Sequence, residues 1–174
     1  VVEEVVVALI QNSFFQAHKR RPQRAEGIAD KAIEEVKAGT NFIFINFANP
    51  DMVGHTANIP AIVEAVEEVD KQLKKVVEEM LKVGGEVFIT ADHGNVEELK
   101  KPSTGEIDTE HSTNPIPLWF ITPDNHREKS AEQMMREQNE VNGLLSDVAP
   151  TILDLMEIAK PPEMNGASLL STLE

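Results

Sequence analysis

The sequence predicts a layered α/β/α fold with a mostly parallel sheet. Segments with strand character alternate along the chain with amphipathic helices, which is the order of successive strand–helix units. One strand candidate is a nearly continuous apolar run, as expected inside a parallel sheet. Aspartates and histidines follow directly after two of the strands, at the sheet edge where α/β proteins bind ligands.

The first strand–helix units lie in the N-terminal third of the chain. Residues 1–10 are rich in valine and β-prone, although so short an apolar run fits a strand or a helix. Residues 25–38 present an apolar helix face and are followed by Gly39, a common helix stop. Residues 42–47 are apolar except for Asn46, which predicts a strand buried on both faces.

The longest predicted helix covers residues 60–83 and ends before Gly84 and Gly85. Its apolar residues recur with helical spacing and predict one inward stripe, whereas acid-first charged pairs four residues apart occupy the other side. The stripe consists of Ile62, Val63, Val66, Val69, Leu73, Val76, Val77, Met80 and Leu81.

The rest of the chain predicts two further strands and a final helix. Residues 87–90 and 117–121 have strand character, and residues 123–143 are polar and predict a surface excursion. Residues 147–158 predict the last helix, for which Asp147 is the candidate N-cap residue.

The composition indicates one acidic globular domain. The chain has 174 residues, 41% of them hydrophobic, and thirty acidic against sixteen basic side chains give a net charge of −14. This charge opposes binding to nucleic acid or to anionic membranes and favours cations. The absence of cysteine excludes disulfides, thiolate metal sites and a cysteine nucleophile, and it fits a cytoplasmic protein. From the apolar runs and the first residues we also expect no membrane span and no secretory signal.

Acidic residues and histidines accompany three of the predicted strands. They are Asp51 and His55 after the strand at 42–47, Asp92 and His93 after the strand at 87–90, and His111 before the strand at 117–121. Because parallel strands end at one sheet edge, we expect these side chains to meet there. Oxygen and imidazole ligands without thiolate suit Mn²⁺ or Zn²⁺. Ions about 4 Å apart are the arrangement that polarises phosphoryl groups.

Local spacing supports this metal-site hypothesis. An aspartate and a histidine four residues apart, as in Asp51 and His55, converge on one ion if the turn is compact. Gly94 would permit the sharp backbone bend that brings two adjacent ligands to one ion.

His18 and His126 lie in polar, charged stretches and are predicted to be surface residues. The basic cluster at 18–24 is predicted to be a solvated loop, with phosphate contact as the alternative.

Several segments resemble the cofactor-independent (2,3-bisphosphoglycerate-independent) phosphoglycerate mutases. They are NFANPDMVGHT (46–56), TADHGN (90–95), HSTNPIP (111–117), DVAPTIL (147–153) and PPEMNGASL (161–169). The resemblance runs from about residue 40 to the end of the chain and is weaker before it. The first segment is highly specific, whereas the Asp-His-Gly run alone indicates only the wider alkaline-phosphatase-like superfamily.

The resemblance implies an alkaline-phosphatase-like fold and a glycolytic isomerase that interconverts 2- and 3-phosphoglycerate. The family uses two divalent metal ions, usually Mn²⁺, and a serine that is transiently phosphorylated. By motif, Asp51, His55 and His111 would bind one ion, and Asp92 and His93 would bind the other. In the family, the second ion is also held by an aspartate and the nucleophilic serine near the N-terminus.

Those two residues and the inserted glycerate-binding domain have no counterpart in this sequence, and residues 1–24 match the family poorly. We therefore expect residues 1–174 to be the C-terminal portion of the phosphatase-like domain, incomplete at the N-terminus, without a catalytic nucleophile and inactive alone. The expected partners are phosphoglycerate and the missing N-terminal part and inserted domain of a monomeric, cytoplasmic parent. The alternatives are a phosphopentomutase, a metal-dependent phosphatase of the same superfamily, or a non-catalytic metal-binding module.

Overall fold

The computed structural model describes residues 5–10, 22–101, 103–124, 129–137 and 140–173. Its strands are β1 (Val5–Ile10), β2 (Phe42–Asn46), β3 (Glu86–Ala91) and β4 (Leu118–Ile121). Its helices are α1 (Pro22–Lys37), α2 (Asn49–Gly54), α3 (Ile59–Lys82), α4 (Ala131–Glu137), α5 (Val148–Leu155) and α6 (Leu170–Leu173). His18, His126 and residues 18–21 of the basic cluster lie outside the described residues.

The described strands form one sheet in the order β2-β1-β3-β4. β1 pairs in parallel with β2 and with β3, and β4 pairs antiparallel with β3, so the predicted mostly parallel sheet is confirmed. Because β4 runs opposite to its neighbour β3, it begins at the edge where β2 and β3 end. The segment that precedes β4 therefore approaches the same edge as the segments that follow β2 and β3.

One face of the sheet is covered by α1 and α3. Small side chains on α1, such as Ala25 and Ala29, are fully buried against the longer apolar side chains of α3. The same cluster includes Ile43, Ile45 and Phe47 from the region of β2, and Val87 and Ile89 from β3. This apolar layer fixes the direction of β2 and β3, and so the position of the sheet edge at which both strands end.

The opposite face carries a second apolar cluster around Phe88. Because side chains alternate along a strand, Phe88 points away from the layer that holds Val87 and Ile89. It stacks on Phe120 with ring centroids 4.6 Å apart and contacts apolar side chains of α5 and α6. Helices thus cover both faces, which is the layered α/β/α arrangement predicted from the sequence.

The prediction that residues 42–47 are buried on both faces is wrong. Ile43 and Ile45 are buried, but Phe42 and Phe44 remain 42% and 53% exposed. The reason is position: β2 lies at the end of the described sheet, and α5 and α6 contact the β3–β4 side of that face. Among the described elements, none covers the two phenylalanines.

The buried face of α3 is rotated relative to the predicted stripe. Val63 and Val66 are exposed, whereas Gln72, on the other flank of the helix, is fully buried. The Gln72 amide donates to Glu68 Oε1 at 2.5 Å, which gives its nitrogen a hydrogen-bond partner within the helix. None of the described helices is both long and apolar enough to cross a membrane.

Asp147 occupies the N-cap position of α5, as predicted, but its side chain makes no capping hydrogen bond to that helix. Its Oδ2 accepts from the backbone N–H of Leu144 at 2.8 Å, and its Oδ1 accepts from the N–H of Ala167 at 2.9 Å. The Thr151 hydroxyl donates to the Asp147 carbonyl and accepts from the N–H of Leu169. The segment predicted as one helix at 147–158 begins as a 3₁₀ turn and continues as α5. The hydrogen bonds of Asp147 and Thr151 attach the C-terminal segment to the start of this helix.

The predicted surface excursion at 123–143 contains α4, which is exposed along its whole length. It contributes no buried residue to either apolar layer. This agrees with its polar composition.

We expect Asp147→Asn to lower the melting temperature by several degrees at neutral pH. Hydrogen bonds from the Leu144 and Ala167 backbone N–H groups, with a smaller contribution from the Lys160 charge, hold the pKa of Asp147 below its ordinary value. A lowered pKa means that the carboxylate stabilises the folded chain above the unfolded-state pKa, and that this stabilisation is lost as pH falls through the folded-state pKa.

The gap between the two melting temperatures should narrow as the pH falls below about 4, the ordinary pKa of aspartate. Asp154→Asn, on the exposed side of α5, is the matched control and should change little. Calorimetric melting across this pH range checks both statements. A gap that stays constant with pH would contradict the assigned role of the carboxylate.

Candidate metal centre

The polar segments singled out in the sequence lie together at the sheet edge where β2 and β3 end. β2 leads into α2, a short helix that the sequence pattern does not predict, and α2 carries Asp51. β3 leads into Asp92 and His93, and His111 lies in the segment before β4. The antiparallel direction of β4 is what brings this third segment to the same edge.

Asp51, His55 and His111 come together at this edge. Each offers one ligand atom, and these atoms all lie within 4.8 Å of one another. Asp51 is buried, with its Oδ2 3.3 Å from His55 Nε2 and its Oδ1 3.5 Å from His111 Nε2. The helical geometry of α2 explains the first pair, because residues four apart lie on the same helix face. Both histidine rings are partly open to solvent, so a ligand can reach the cluster.

The backbone fixes how the His55 ring presents itself to Asp51. His55 Nδ1 lies 2.7 Å from the carbonyl oxygen of Thr109, and since a carbonyl only accepts, Nδ1 is the donor. In the neutral imidazole, Nε2 then carries a lone pair that faces the Asp51 carboxylate. Two acceptors at this distance repel each other unless a proton or a cation lies between them.

Asp92 and His93 repeat the same arrangement. His93 Nδ1 donates to the Gly94 carbonyl at 3.1 Å, and its Nε2 lies 3.5 Å from Asp92 Oδ1. Both facing atoms are buried and lack a hydrogen-bond partner among the described residues. In the described part of the chain, this pair does not belong to any group of three metal-binding side chains. It offers two ligands.

The two sets of residues are in direct contact. The imidazole rings of His93 and His111 stack with centroids 3.6 Å apart and an angle of 11° between their planes. The His55 and His111 ring centroids are 5.2 Å apart. The structure thus places all five residues singled out from the sequence around one small region of the sheet edge.

Three further residues, Asn95, Glu97 and Ser112, connect the segments, although no sequence pattern predicts a role for them. Asn95 Nδ2 donates to Asp51 Oδ1 at 2.5 Å, and the Asn95 backbone N–H donates to Glu97 Oε2 at 2.7 Å. The other Glu97 oxygen accepts from the hydroxyl of Ser112, the neighbour of His111. Their polar character is visible in the sequence, but these pairings join residues far apart in the chain and require the folded structure.

The environment of Glu97 favours its carboxylate. Burial alone would raise the pKa of Glu97, but hydrogen bonds from Ser112, from backbone N–H groups of Glu97 and Asn95 and from the Asn114 amide outweigh it. The pKa of Glu97 therefore lies below its ordinary value, and the residue is an anion at neutral pH. An anionic Glu97 accepts from all of these donors at once.

Two glycines make room for these contacts. A Cβ atom on Gly54 would lie 2.8 Å from Asn95 Oδ1, and a Cβ atom on Gly94 would collide with Glu97 Oε1 and the Ser112 hydroxyl. The chain bends at Asp92 and His93, directly before Gly94. This bend does not require an unusual φ at Gly94, because among the described glycines only Gly39, Gly84 and Gly105 have positive φ. Gly94 is needed because of space.

The geometry agrees with comparisons to known proteins. The model of the Metalloenzyme superfamily matches residues 2–160. The chain belongs to this superfamily. It is also similar to the 2,3-bisphosphoglycerate-independent phosphoglycerate mutase of Rhodopseudomonas palustris, with 43% identity over 147 residues, which are 84% of this chain and 27% of that protein. The resemblance read from the motifs is thereby confirmed, and the chain spans about 27% of the length of the curated relatives it matches.

Solved structures confirm the fold. The phosphoglycerate mutase of Leishmania mexicana, crystallised at low cobalt concentration, superposes with a TM-score of 0.69 and 22% identity, covering 93% of this chain and 36% of that one. A 2-O GAG sulfatase superposes with a TM-score of 0.59 and 18% identity, covering 93% and 48%. The alkaline-phosphatase-like α/β fold expected from the resemblance is therefore confirmed.

Gly54→Ala should destabilise the chain, whereas Gly27→Ala should stabilise it. Gly27 lies within α1 with open space where a Cβ would be, so alanine there gains about 1 kcal/mol in helix propensity. At Gly54 the added methyl displaces Asn95 from Asp51, and a hydrogen bond to a charged group contributes about 1.5–3 kcal/mol.

Urea unfolding without added metal measures both free energies. We expect a net loss of about 1 kcal/mol for Gly54→Ala, the difference between the lost hydrogen bond and the gained propensity. Equal stabilisation by the two substitutions would show that Asn95 yields without cost.

Proposed function

We propose that this chain is the C-terminal portion of the phosphatase-like domain of a metal-dependent phosphoglycerate mutase. The observation that carries the proposal is the convergence of Asp51, His55 and His111 around a shared position, with a buried carboxylate facing an imidazole nitrogen that has no proton to offer in its neutral form. The membership of the metalloenzyme superfamily and the 43% identity to a phosphoglycerate mutase support the same function.

The donor set fits a divalent ion of intermediate hardness. One carboxylate and two imidazoles, with no thiolate, suit Mn²⁺ or Zn²⁺, and the family resemblance favours Mn²⁺. Asp51, His55 and His111 would hold one ion. The unpartnered atoms of Asp92 and His93 would hold a second, together with ligands from the rest of the longer enzyme. When bound, the ions supply positive charge that stabilises the phosphoryl oxygens and favours deprotonation of the serine hydroxyl.

Electrostatics explain why such a site needs its ions. The chain carries a net charge of −14, and the edge itself presents the Asp51 and Asp92 carboxylates, which repel an anionic phosphoglycerate. Two divalent cations more than neutralise two carboxylates. Asp51 and Asp92 would bind the ions together with His55 and His93, whose rings are oriented by backbone carbonyls. The edge would then carry positive charge and attract the phosphoryl group.

The reaction proposed for the intact enzyme interconverts 2- and 3-phosphoglycerate through a phosphoserine. The residues described here would hold and orient the ions, whereas the nucleophilic serine and the inserted glycerate-binding domain would belong to the rest of a monomeric parent enzyme. A cytoplasmic location is part of the same proposal, because the reaction belongs to glycolysis.

Mn²⁺ should raise the melting temperature of this chain. A ligand that binds only the folded state at a hundred times its dissociation constant adds about 2.7 kcal/mol of stability. His55→Ala and His111→Ala should each remove most of this rise, and Asn142→Ala, at an exposed residue outside the three segments of the centre, should retain it. An unchanged Mn²⁺ response in both histidine variants would remove Asp51, His55 and His111 as the site.

The 174-residue chain by itself should not turn over 3-phosphoglycerate. The serine motif of the family is not recognisable in its sequence, and the pair of Asp92 and His93 lacks further ligands among the described residues. An enolase-coupled assay with Mn²⁺ tests this, with the full-length Rhodopseudomonas palustris relative as the positive control. Robust turnover by the purified chain would contradict the assignment of the nucleophile to another part of the enzyme.

A further inference from the structure

The buried amide of Asn95 connects two of the segments that build the candidate metal centre. Asn95 and Asp51 are each only 6% exposed, so the 2.5 Å hydrogen bond between Asn95 Nδ2 and Asp51 Oδ1 is shielded from water. We propose that Asn95 is a positioning residue of this centre, which orients the Asp51 carboxylate toward the metal ion. The proposal rests on the metal-binding function proposed above.

The hydrogen bond gives the two oxygens of Asp51 different roles. Oδ1 is held by the Asn95 amide, whereas Oδ2 faces His55 Nε2 at 3.3 Å and has no hydrogen-bond partner among the described residues. Without Asn95, the carboxylate could rotate about its last side-chain bond and exchange the two oxygens. With Asn95 in place, Oδ2 stays directed toward the position shared with His55.

The orientation of the Asn95 amide follows from charge. Its amide oxygen would be repelled by the Asp51 carboxylate, so the NH₂ group faces Asp51 and the oxygen lies against Gly54. That oxygen is buried and has no hydrogen-bond partner among the described residues. A buried acceptor without a partner costs stability, so the arrangement is poorly explained by folding alone.

Glu97 holds Asn95 from the other side and extends the connection to the third segment. Its Oε2 accepts from the Asn95 backbone N–H, and its Oε1 accepts from the hydroxyl of Ser112, next to His111. The Ser112 backbone N–H in turn donates to the Gly94 carbonyl at 2.9 Å. A continuous series of hydrogen bonds therefore runs from Asp51 through Asn95 and Glu97 to the neighbour of a second ligand.

Groups that orient metal ligands in this way contribute to affinity without touching the ion. Loss of such an outer contact typically lowers metal affinity tenfold to a hundredfold. Because Asn95 acts through Asp51, its removal should also change the ligand geometry around the ion.

Titration with Co²⁺ tests the proposal, because calorimetry gives the affinity and the visible absorption spectrum reports ligand geometry. Asn95→Ala removes the amide, and Gly54→Ala keeps every polar group but displaces the Asn95 side chain. We expect both variants to bind Co²⁺ ten to a hundred times more weakly, with altered spectra. The matched controls Asn142→Ala and Gly27→Ala should bind as the unmodified chain does, and His55→Ala marks the loss of a direct ligand.

The outcomes separate this proposal from the one on which it rests. If the unmodified chain binds Co²⁺ and both Asn95→Ala and Gly54→Ala bind it equally well with the same spectrum, the positioning role is overturned and the metal site stands. If the unmodified chain binds no Co²⁺, the metal site fails and the positioning role fails with it. Should Asn95→Ala not fold, Gly54→Ala alone decides, because it leaves the amide in the chain.

Discussion

The buried carboxylate of Asp51 is the constraint around which the candidate metal centre, at the sheet edge where β2 and β3 end, is organised. A charge removed from water is strongly unfavourable unless partners compensate it, and here the side chains that face it come from three separate segments. His55 lies directly after the short helix α2, His111 lies before the antiparallel strand β4, and Asn95, which donates to the carboxylate, follows β3. The two apolar layers hold the strands in the register that makes this convergence possible.

The local parts of this arrangement could be predicted from the sequence. The periodic apolar residues indicated α1, α3, β2 and β3 close to their observed bounds, and the aspartates and histidines after the strands indicated the edge. These predictions succeeded because the repeat of a helix or strand, and the place where it ends, are properties of neighbouring residues. The family resemblance supplied the expected ligand set, and the structure brings those residues to one place.

The parts that could not be predicted depend on contacts between distant segments. The exposure of Phe42 and Phe44 follows from the position of β2 in the sheet, which the residues of β2 do not encode. Asp147 has the residue type of a helix cap, but the C-terminal segment offers its carboxylate other donors. The role of Asn95 depends on a contact across 44 residues, and Gly54 is needed only once Asn95 is in place.

The three segments of the centre also determine what an ion would do to the chain as a whole. An ion held by Asp51 and His111 would act as a reversible cross-link between the region of α2 and the segment before β4, which are far apart in sequence. Such a cross-link closes a long loop, and long loops lose the most conformational freedom on closure. Release of the ion would remove this cross-link and leave only the hydrogen bonds between the segments, so that chelation would loosen the loops there before it affected the two apolar layers.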